Sequence, residues 1–437
     1  MHLEPLPFSP DVTGLFAPFA TADGAVLLDS GKPGQTRGRY DILTAWPQET
    51  ITIDQGGTLT PQQRETLSRR WCSAECPLPF SGGWIGFASY ELGYLLEPVT
   101  GQPGRKRILP AFHAGYYPWA IIQDHQLQQA WLVWEESLPG PILDEIHRIL
   151  AGMGSVAEPT EPFCTTGKFH PAWTQADYEA RFRKVEQYIR QGDCYQVNLG
   201  IRFCASYRGE PFDAFRRLRE TIPSPHMAFL QVGEASIISI SPERFLLAEE
   251  DRVETRPIKG TAPRGNTPEE DAKAARTLAA SEKNRAENLM IVDLLRNDLG
   301  HACLPGSVTM QEFCRLESYR NVHHLVSTVT GQIAPDKNIW DLFFSSFPGG
   351  SITGAPKIRA MQIIAELEEW PREIYCGSIF YASNNGRFDS SIAIRTLLCH
   401  QGEILAWAGG GIVADSTAAA EYQECLDKIS PLLGALP

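Results

Sequence analysis

Residues 378–408 read SIFYASNNGRFDSSIAIRTLLCHQGEILAWA, and this stretch decides the fold class. Apolar and β-branched residues at 378–381, 391–399 and 404–408 predict three strands with no helix between them. Consecutive strands of this kind pair antiparallel, because a parallel pair needs a long crossover connection. We therefore expect an α+β fold with antiparallel sheets.

The rest of the chain also groups its strands and helices in blocks rather than alternating them one by one. Thr174 and Asp177 are typical of a helix N-terminus, and Gly192 of a helix end. Residues 268–298 predict one or two helices. The remaining predicted elements are strands at 24–29, 126–134, 195–203, 228–232 and 236–241 and helices at 356–369 and 417–433.

Composition limits the functions that the chain can have. Its 437 residues are 43% hydrophobic and carry a net charge of −13, so a large core is expected and nucleic acid is not an expected partner. We find no signal-peptide pattern and no apolar run that would span a membrane. The ten cysteines occur singly, which favours reduced thiols in the cytoplasm.

The composition changes near the middle of the chain. Residues 152–162 consist mainly of Gly, Pro, Ser, Thr and Glu, which is typical of a linker. This predicts a β-rich N-terminal region over residues 1–162 and a second region over residues 163–437.

Lys259 lies in the stretch TRPIKGT, residues 255–261, between an isoleucine and a glycine. In a dry pocket its amine would lose its proton more easily and become a nucleophile. The alternative is a lysine that extends from a loop into solvent and pairs with an acid, which is the commoner situation for lysines.

Two predicted helices carry acids that could bind a metal ion. Glu287 lies just before an apolar helix face that starts at Leu289, where a carboxylate is costly to bury without a partner. Glu421, Glu424 and Lys428 share one face of the last helix. Carboxylates from two helices could hold one Mg²⁺ ion with several waters. On spacing alone, two solvated helix faces with internal salt bridges are the commoner arrangement.

Several further residues are candidates for anion binding or proton transfer. The glycine-rich stretches 348–357 and 408–416 each precede a predicted helix and could bind an anion, although flexible turns have the same composition. Arg395 lies between apolar residues of a predicted strand and needs an acidic partner, either a substrate carboxylate or a structural acid. His324 could polarise a carbonyl or serve a core hydrogen bond. Glu243 follows an apolar strand and could be an acid with a raised pKa.

Seven strings occur in order along the chain: SPERF, PIKGT-x-PR, SEK-x-RAENLMIVDLLRNDL, HHLVS-x-V-x-G, PGGSITGAPK-x-RAM, IAIRT and GGGIVADS. Together they resemble the chorismate-using enzymes, which include the component I subunits of anthranilate and aminodeoxychorismate synthases and the isochorismate and salicylate synthases. The resemblance is strong from about residue 163 to 433 and looser before it. It implies a large two-sheet antiparallel β-sandwich flanked by helices, as in anthranilate synthase component I.

Within that family the residue at position 259 separates activities. Anthranilate synthases carry alanine there, whereas lysine is typical of many aminodeoxychorismate synthases. The resemblance therefore implies conversion of chorismate and ammonia to 4-amino-4-deoxychorismate, the precursor of p-aminobenzoate and folate. An anthranilate synthase with an atypical lysine, or a non-catalytic relative that senses an amino acid, are the alternatives.

The resemblance also implies a role for each candidate residue. Lys259 would attack the chorismate ring and Glu243 would protonate the departing hydroxyl. Mg²⁺ would bind the ring carboxylate and would be held by Glu287 and Glu424, with help from Glu421. The enolpyruvyl carboxylate would be held by Arg395, Tyr381 and the amides of Gly409 and Gly411. The remaining pocket residues would be Gly260, Thr261, His324, Ser351 and Lys428.

Two further expectations follow from the resemblance. No cysteine lies in a Gly-x-Cys-x-Gly segment, so ammonia is expected from a separate glutamine amidotransferase subunit or from solution. Residues 27–30, LLDS, resemble the LLES string that binds tryptophan in anthranilate synthases, with Asp29 in place of glutamate. Ser30 therefore marks a candidate tryptophan pocket.

Overall fold

The computed structural model describes residues 1–31, 38–54, 56–69, 76–97, 99, 105–152, 161–319 and 322–437. These residues form two large antiparallel sheets with helices packed around them, which confirms the predicted α+β fold. The first sheet has thirteen strands: β1 (His2–Leu6), β2 (Val26–Asp29), β3 (Tyr40–Thr44), β7 (Trp119–Asp124), β8 (Gln129–Trp134), β9 (Cys164–Thr165), β10 (His170–Pro171), β11 (Gln196–Arg208), β12 (His226–Val232), β13 (Ala235–Ser241), β19 (Gly354–Ala355), β22 (Thr396–His400) and β23 (Glu403–Ile412). The second has ten: β4 (Glu49–Ile53), β5 (Gly83–Ala88), β6 (Phe112–Tyr117), β14 (Arg244–Glu249), β15 (Arg252–Thr255), β16 (Ile258–Pro263), β17 (Thr309–Ser318), β18 (Val322–Gln332), β20 (Ser378–Ser383) and β21 (Arg387–Ile392).

Helices surround the two sheets. The α-helices of the described residues are α1 (Val12–Phe16), α2 (Pro61–Arg69), α3 (Gly93–Leu96), α4 (Gly140–Ala151), α5 (Gln175–Arg190), α6 (Pro211–Thr221), α7 (Pro268–Ala279), α8 (Glu282–Gly300), α9 (Ile339–Ser346), α10 (Lys357–Leu367) and α11 (Ala418–Gly434). Short 3₁₀ helices span Ala17–Phe19, Tyr90–Leu92 and Gly350–Ile352. None of the helices in the described ranges is both long enough and apolar enough to cross a bilayer.

Strands from both predicted regions lie side by side in each sheet. In the first sheet β2 pairs with β12, and in the second sheet β5 pairs with β20. The regions 1–162 and 163–437 therefore share continuous hydrogen-bonded sheets. Most of the predicted linker, residues 153–160, lies outside the described residues.

Local sequence signals place most elements correctly. Thr174 caps α5, and its side chain and that of Asp177 form the reciprocal hydrogen bonds of a capping box. Gly192 follows the helix with a φ of 82°, a conformation that glycine adopts without strain. Aromatic side chains fill the core beside α9, where the rings of Trp340 and Phe380 meet edge to face at 5.4 Å.

The predicted strand at 391–399 is wrong in one respect that matters for the site. The chain forms β21 up to Ile392 and then crosses to the other sheet, where β22 starts at Thr396. Arg395 lies at this crossing with a φ of 52°, instead of lying within a strand. Each half of this segment is buried in its own sheet, so both halves are largely apolar. The sequence pattern therefore looks like that of one continuous buried strand.

The predicted buried face of α8 also needs a correction. Val292, Leu295 and Leu299 are buried as expected, but the Leu289 side chain is 59% exposed. Asn288 occupies the buried position instead, because its amide makes hydrogen bonds inside the protein. Periodicity scores apolar residues, so it does not detect a buried amide.

Candidate active site

Lys259 lies in β16 with its amine turned into the protein. Its Nζ donates a hydrogen bond to the carbonyl oxygen of Ser351 at 3.0 Å. The Asn288 amide in turn donates to the Lys259 carbonyl at 3.0 Å and holds the backbone in place. Burial lowers the pKa of Lys259, while the nearby acids Glu243 and Glu287 oppose that shift. Burial therefore shifts the amine toward the neutral form that a nucleophile requires.

Gly260 follows the lysine in a conformation that other residues rarely adopt. Its φ is 87°, and a Cβ atom there would lie 3.0 Å from the Asn284 side chain. The next residue, Thr261, has its hydroxyl 2.8 Å from Nδ1 of His324. The register of β16 against β18 shifts between Ile258 and Thr261, where this glycine lies, and the strand is also tied to β18 through the side-chain hydrogen bond of Thr261.

Glu243 is a buried acid close to Lys259. It precedes β14, and its side chain is 6% exposed. The Ser351 hydroxyl donates to Glu243 Oε1 at 3.1 Å, so Ser351 contacts the acid through its hydroxyl and the lysine through its carbonyl. Burial raises the pKa of Glu243 to about 7, although Lys259 and the Ser351 hydrogen bond act in the opposite direction. An acid with this pKa can hold and release a proton near neutral pH.

Arg395 has the properties of an anion-binding residue. Burial lowers its pKa, and no acid in the described residues offsets that effect. Burial, together with the nearby positive charge of Arg395, lowers the pKa of His324 to about 4. His324 is therefore neutral at pH 7. The guanidinium is then available for an anionic ligand, which would pay for its desolvation.

The glycines of β23 lie along an open strand edge. Pairing between β22 and β23 ends at Leu397 and Ala406, so β23 extends beyond its neighbour on this side. A Cβ atom on Gly409 would lie 2.7 Å from the Tyr375 hydroxyl, and one on Gly411 would lie 2.9 Å from Gln196 Nε2. Glycine is required at both positions because other side chains approach the backbone so closely.

Sequence reasoning missed Tyr375 and Gln196. The Gln196 amide nitrogen is buried and has no partner in the described residues, so it is free to meet a ligand next to Gly411. Neither residue lies in a stretch with an unusual pattern. A single tyrosine or glutamine in an apolar segment is indistinguishable from a core residue without its neighbours.

The structure places Tyr381 away from this site, which corrects its predicted role. The Tyr381 hydroxyl accepts a hydrogen bond from Arg387 Nε at 3.0 Å, and its ring lines a second cavity of about 850 Å³. Tyr375, six residues earlier, has its hydroxyl beside Gly409 instead. The two tyrosines flank the start of β20, and only the course of the chain decides which one faces the glycines.

Ser30 also lines this second cavity, so a pocket exists where the sequence predicts one for tryptophan. The Ser30 amide and hydroxyl both donate to Asp41, at 2.9 and 3.0 Å. Asp29 is buried and forms an ion pair with Arg219, so its carboxylate is already neutralised within the protein. Whether tryptophan binds here stays a prediction.

The three acids predicted to bind Mg²⁺ lie on α8 and α11. Lys259 is within electrostatic reach of Glu287 and Glu424, so both helices border the nucleophile. Each acid has a partner: Lys283 Nζ lies 3.9 Å from Glu287, Lys428 Nζ 2.6 Å from Glu424, and the Ser416 hydroxyl donates to Glu421. Lys428 Nζ also donates to the Gly409 carbonyl at 3.0 Å.

This donor set fits Mg²⁺ in its chemistry. Carboxylate oxygens are its preferred protein ligands, and it usually keeps several waters and uses one or two carboxylates. Burial and the neighbouring charge of Glu424 raise the pKa of Glu421, so a cation there would relieve repulsion. Within the described residues no three acidic, histidine or cysteine side chains form a ready-made metal cluster. A bound ion would have to replace the lysine partners of Glu287 and Glu424.

The sequence and the fold of this chain are similar to those of known proteins. The profile of the chorismate binding enzyme family matches residues 23–434. The chain belongs to this family. Aminodeoxychorismate synthase component 1 of Salmonella typhimurium is 43% identical to it over 99% of this chain and 97% of that protein, and that of Klebsiella aerogenes is 41% identical over 99% and 98%. The crystal structure of anthranilate synthase component I from Streptococcus pneumoniae superposes with a TM-score of 0.81 at 32% identity, covering 91% of this chain and 92% of that one.

Proposed function

We propose that this family member is component I of an aminodeoxychorismate synthase, which acts in the cytoplasm on chorismate and ammonia to form 4-amino-4-deoxychorismate. The observation that carries the proposal is the desolvated Lys259 beside the buried acid Glu243, with Ser351 bonded to both. The relatives from Salmonella typhimurium and Klebsiella aerogenes, which match 99% of this chain at 43% and 41% identity, carry this name, which supports it.

The substrate would be held at its enolpyruvyl carboxylate. Arg395 supplies a buried guanidinium that has no acidic partner among the described residues, and the open edge of β23 supplies backbone N–H groups at Gly409 and Gly411. The Tyr375 hydroxyl lies beside the same edge. These donors would orient the ring so that its allylic hydroxyl faces Glu243 and its conjugated carbon faces Lys259.

The reaction then consists of two displacements. The Lys259 amine forms a bond to the ring carbon conjugated with the C–O bond, and that C–O bond breaks. The hydroxyl leaves with the bonding electrons and takes the proton of Glu243, which gives water. Ammonia next forms a bond at the carbon that lost the hydroxyl, the electrons shift back through the double bond, and Lys259 leaves with the electrons of its own bond to the ring.

Glu287 and Glu424, with Glu421 next to them, would hold Mg²⁺ at the ring carboxylate. The ion, when bound, would neutralise the negative charge of that carboxylate and fix its position. His324, which lies near Arg395, would be neutral because of its low pKa and would add no positive charge to the site.

Anthranilate synthase component I is the second candidate, since a solved structure of that kind shares the fold at 32% identity. In that reaction ammonia would attack directly at the ring carbon that Lys259 attacks in the proposed route. The amine of Lys259 blocks that approach, so we favour the route through two displacements.

The products separate the two candidates. The purified chain with chorismate, Mg²⁺ and ammonium should form a product that aminodeoxychorismate lyase converts to p-aminobenzoate, measured by fluorescence after chromatography. Formation of anthranilate without added lyase would contradict the proposal.

The same assay tests the source of ammonia. Because the relatives are named component 1, we expect a separate glutaminase component. Glutamine in place of ammonium should give no product with the chain alone and should support turnover once the glutaminase is added. Turnover of glutamine by the chain alone would contradict this division of labour.

Removal of a metal-binding carboxylate should raise the Mg²⁺ requirement. For Glu287→Ala and Glu424→Ala we expect the Mg²⁺ concentration at half-maximal rate to increase by at least about 10–100-fold, the cost of losing even an outer-sphere partner. Asp427→Ala, an exposed acid one turn along α11, is the matched control and should leave the titration unchanged. A wild-type Mg²⁺ titration for either glutamate variant would show that its carboxylate is not a ligand.

A further inference from the structure

A buried arginine connects the two halves of the proposed site. Arg372 follows α10, and its side chain is 2% exposed. It forms a two-point ion pair with Glu368, with Nε to Oε2 at 2.8 Å and Nη2 to Oε1 at 2.6 Å. This arrangement matches the planar fork of a guanidinium to a carboxylate, which a lysine does not reproduce.

The remaining donors of Arg372 reach two different backbone segments. Nη2 donates to the Asn198 carbonyl at 2.8 Å, and Nη1 donates to the Ile352 carbonyl at 3.4 Å. The paired carboxylate of Glu368 accepts the Gly200 N–H at 2.8 Å. The guanidinium also lies over the ring of Tyr375, 5.6 Å from its centroid.

These contacts lead to both halves of the site. Asn198 and Gly200 are the β11 partners of Gly411 and Gly409, the glycines proposed to receive the enolpyruvyl carboxylate. Ile352 follows Ser351, which bonds Lys259 and Glu243. One side chain therefore connects the segment that would hold the substrate with the segment that holds the nucleophile and the acid.

Stability alone is a weak reason to keep such a pair, because desolvating two charges offsets much of their attraction and apolar replacements are often tolerated. We propose that Arg372 is a positioning residue, which sets the distance between the carboxylate-binding edge of β23 and the Lys259–Glu243 pair. This inference rests on the proposed function and adds to it a residue that does not touch the substrate.

Arg372→Lys tests the inference. Lysine keeps the charge and can pair with Glu368, but its single nitrogen cannot bind Asn198 and Ile352 at once. Misplacement by about 1 Å can cost about 100-fold in rate. We expect kcat/KM for chorismate to fall by about that factor, with KM rising about tenfold. A lower folded fraction would reduce kcat but would leave KM unchanged.

Arg181→Lys is the matched control. Arg181 lies over the ring of Trp173, pairs with Glu369 and donates to the Leu367 carbonyl. It therefore makes the same kinds of contact as Arg372, but with the neighbours of Glu368 in the chain. Its variant should keep the wild-type KM. A wild-type KM in Arg372→Lys, or an equal rise in both variants, would overturn the inference.

Glu368→Gln provides a second variant if Arg372→Lys does not fold. The amide keeps an oxygen for the Gly200 N–H but loses one of the two acceptors for Arg372, and KM should again rise. An unchanged KM in this folded variant would overturn the inference. The product of the wild-type enzyme is identified in the same assay, so failure of the proposed function would appear there, independently of the ratio between variant and wild type.

Discussion

Replacing Lys259 by alanine should lower the rate of product formation by about 10³-fold, the scale of losing a group that takes part in bond formation. Its amine is desolvated and donates a hydrogen bond to the Ser351 carbonyl. Any residual product should shift toward anthranilate, because the alanine leaves room for ammonia where the lysine attacks.

Trapping gives the sharper test. Wild-type protein given chorismate and Mg²⁺ without ammonia should gain the mass of chorismate less water on the peptide that contains Lys259, measured by mass spectrometry. Lys337→Ala, at an exposed lysine far along the chain from β16, should form the adduct normally. Full activity of Lys259→Ala together with no adduct on the wild type would show that the lysine is structural.

Replacing Glu243 by glutamine should lower kcat by about 10²–10⁴-fold, because the amide cannot protonate the departing hydroxyl. In the wild type the acid must carry its proton, and its pKa is about 7. The rate should therefore fall as the pH rises through about 7. Glu366→Gln, at an acid on the outer face of α10, should keep the wild-type pH profile.

The same residue makes a prediction about stability. The pKa of Glu243 is raised from 4.5 to about 7 by burial, so its contribution to folding is fully present below about 4.5 and is lost as the pH rises to 7. Glutamine does not titrate. We therefore compare the melting temperature of Glu243→Gln with that of the wild type at each pH. The variant's melting temperature minus that of the wild type should be larger at pH 8 than at pH 5. A pH-independent difference in melting temperature, with unchanged kcat, would contradict the assignment of Glu243 as a buried acid.

Two residues of the candidate site could be predicted from the local sequence, because each is a charged residue in a largely apolar context. Lys259 is a charged residue between an isoleucine and a glycine, and Glu243 directly follows a buried strand. Burying a charged side chain at either position costs free energy, so such a residue is expected there only if it has a function. The family strings around them add the reaction, since they occur together and in order.

Other features depend on neighbours that are distant in the chain. Nothing in the segment 391–399 indicates that the chain changes sheets at Arg395, because apolar residues on both sides are equally compatible with one strand. Tyr381 and Tyr375 are alike in sequence, and their positions relative to Gly409 decide their roles. The buried position of Asn288 could not be predicted, because the periodicity of a helix face is measured with apolar residues only.

The sequence by itself determined the fold class through the order of its strands and the family through its ordered strings, and it singled out Lys259 and Glu243 as candidates because charged residues are costly at their positions. Only the tertiary structure decided which side chains meet: that Ser351 contacts both Lys259 and Glu243, that Tyr375 rather than Tyr381 lies beside Gly409, and that Arg372 joins the two halves. The reason is physical. A residue's cost of burial is a local property, whereas its partner is set by sheets and loops that bring together positions up to hundreds of residues apart.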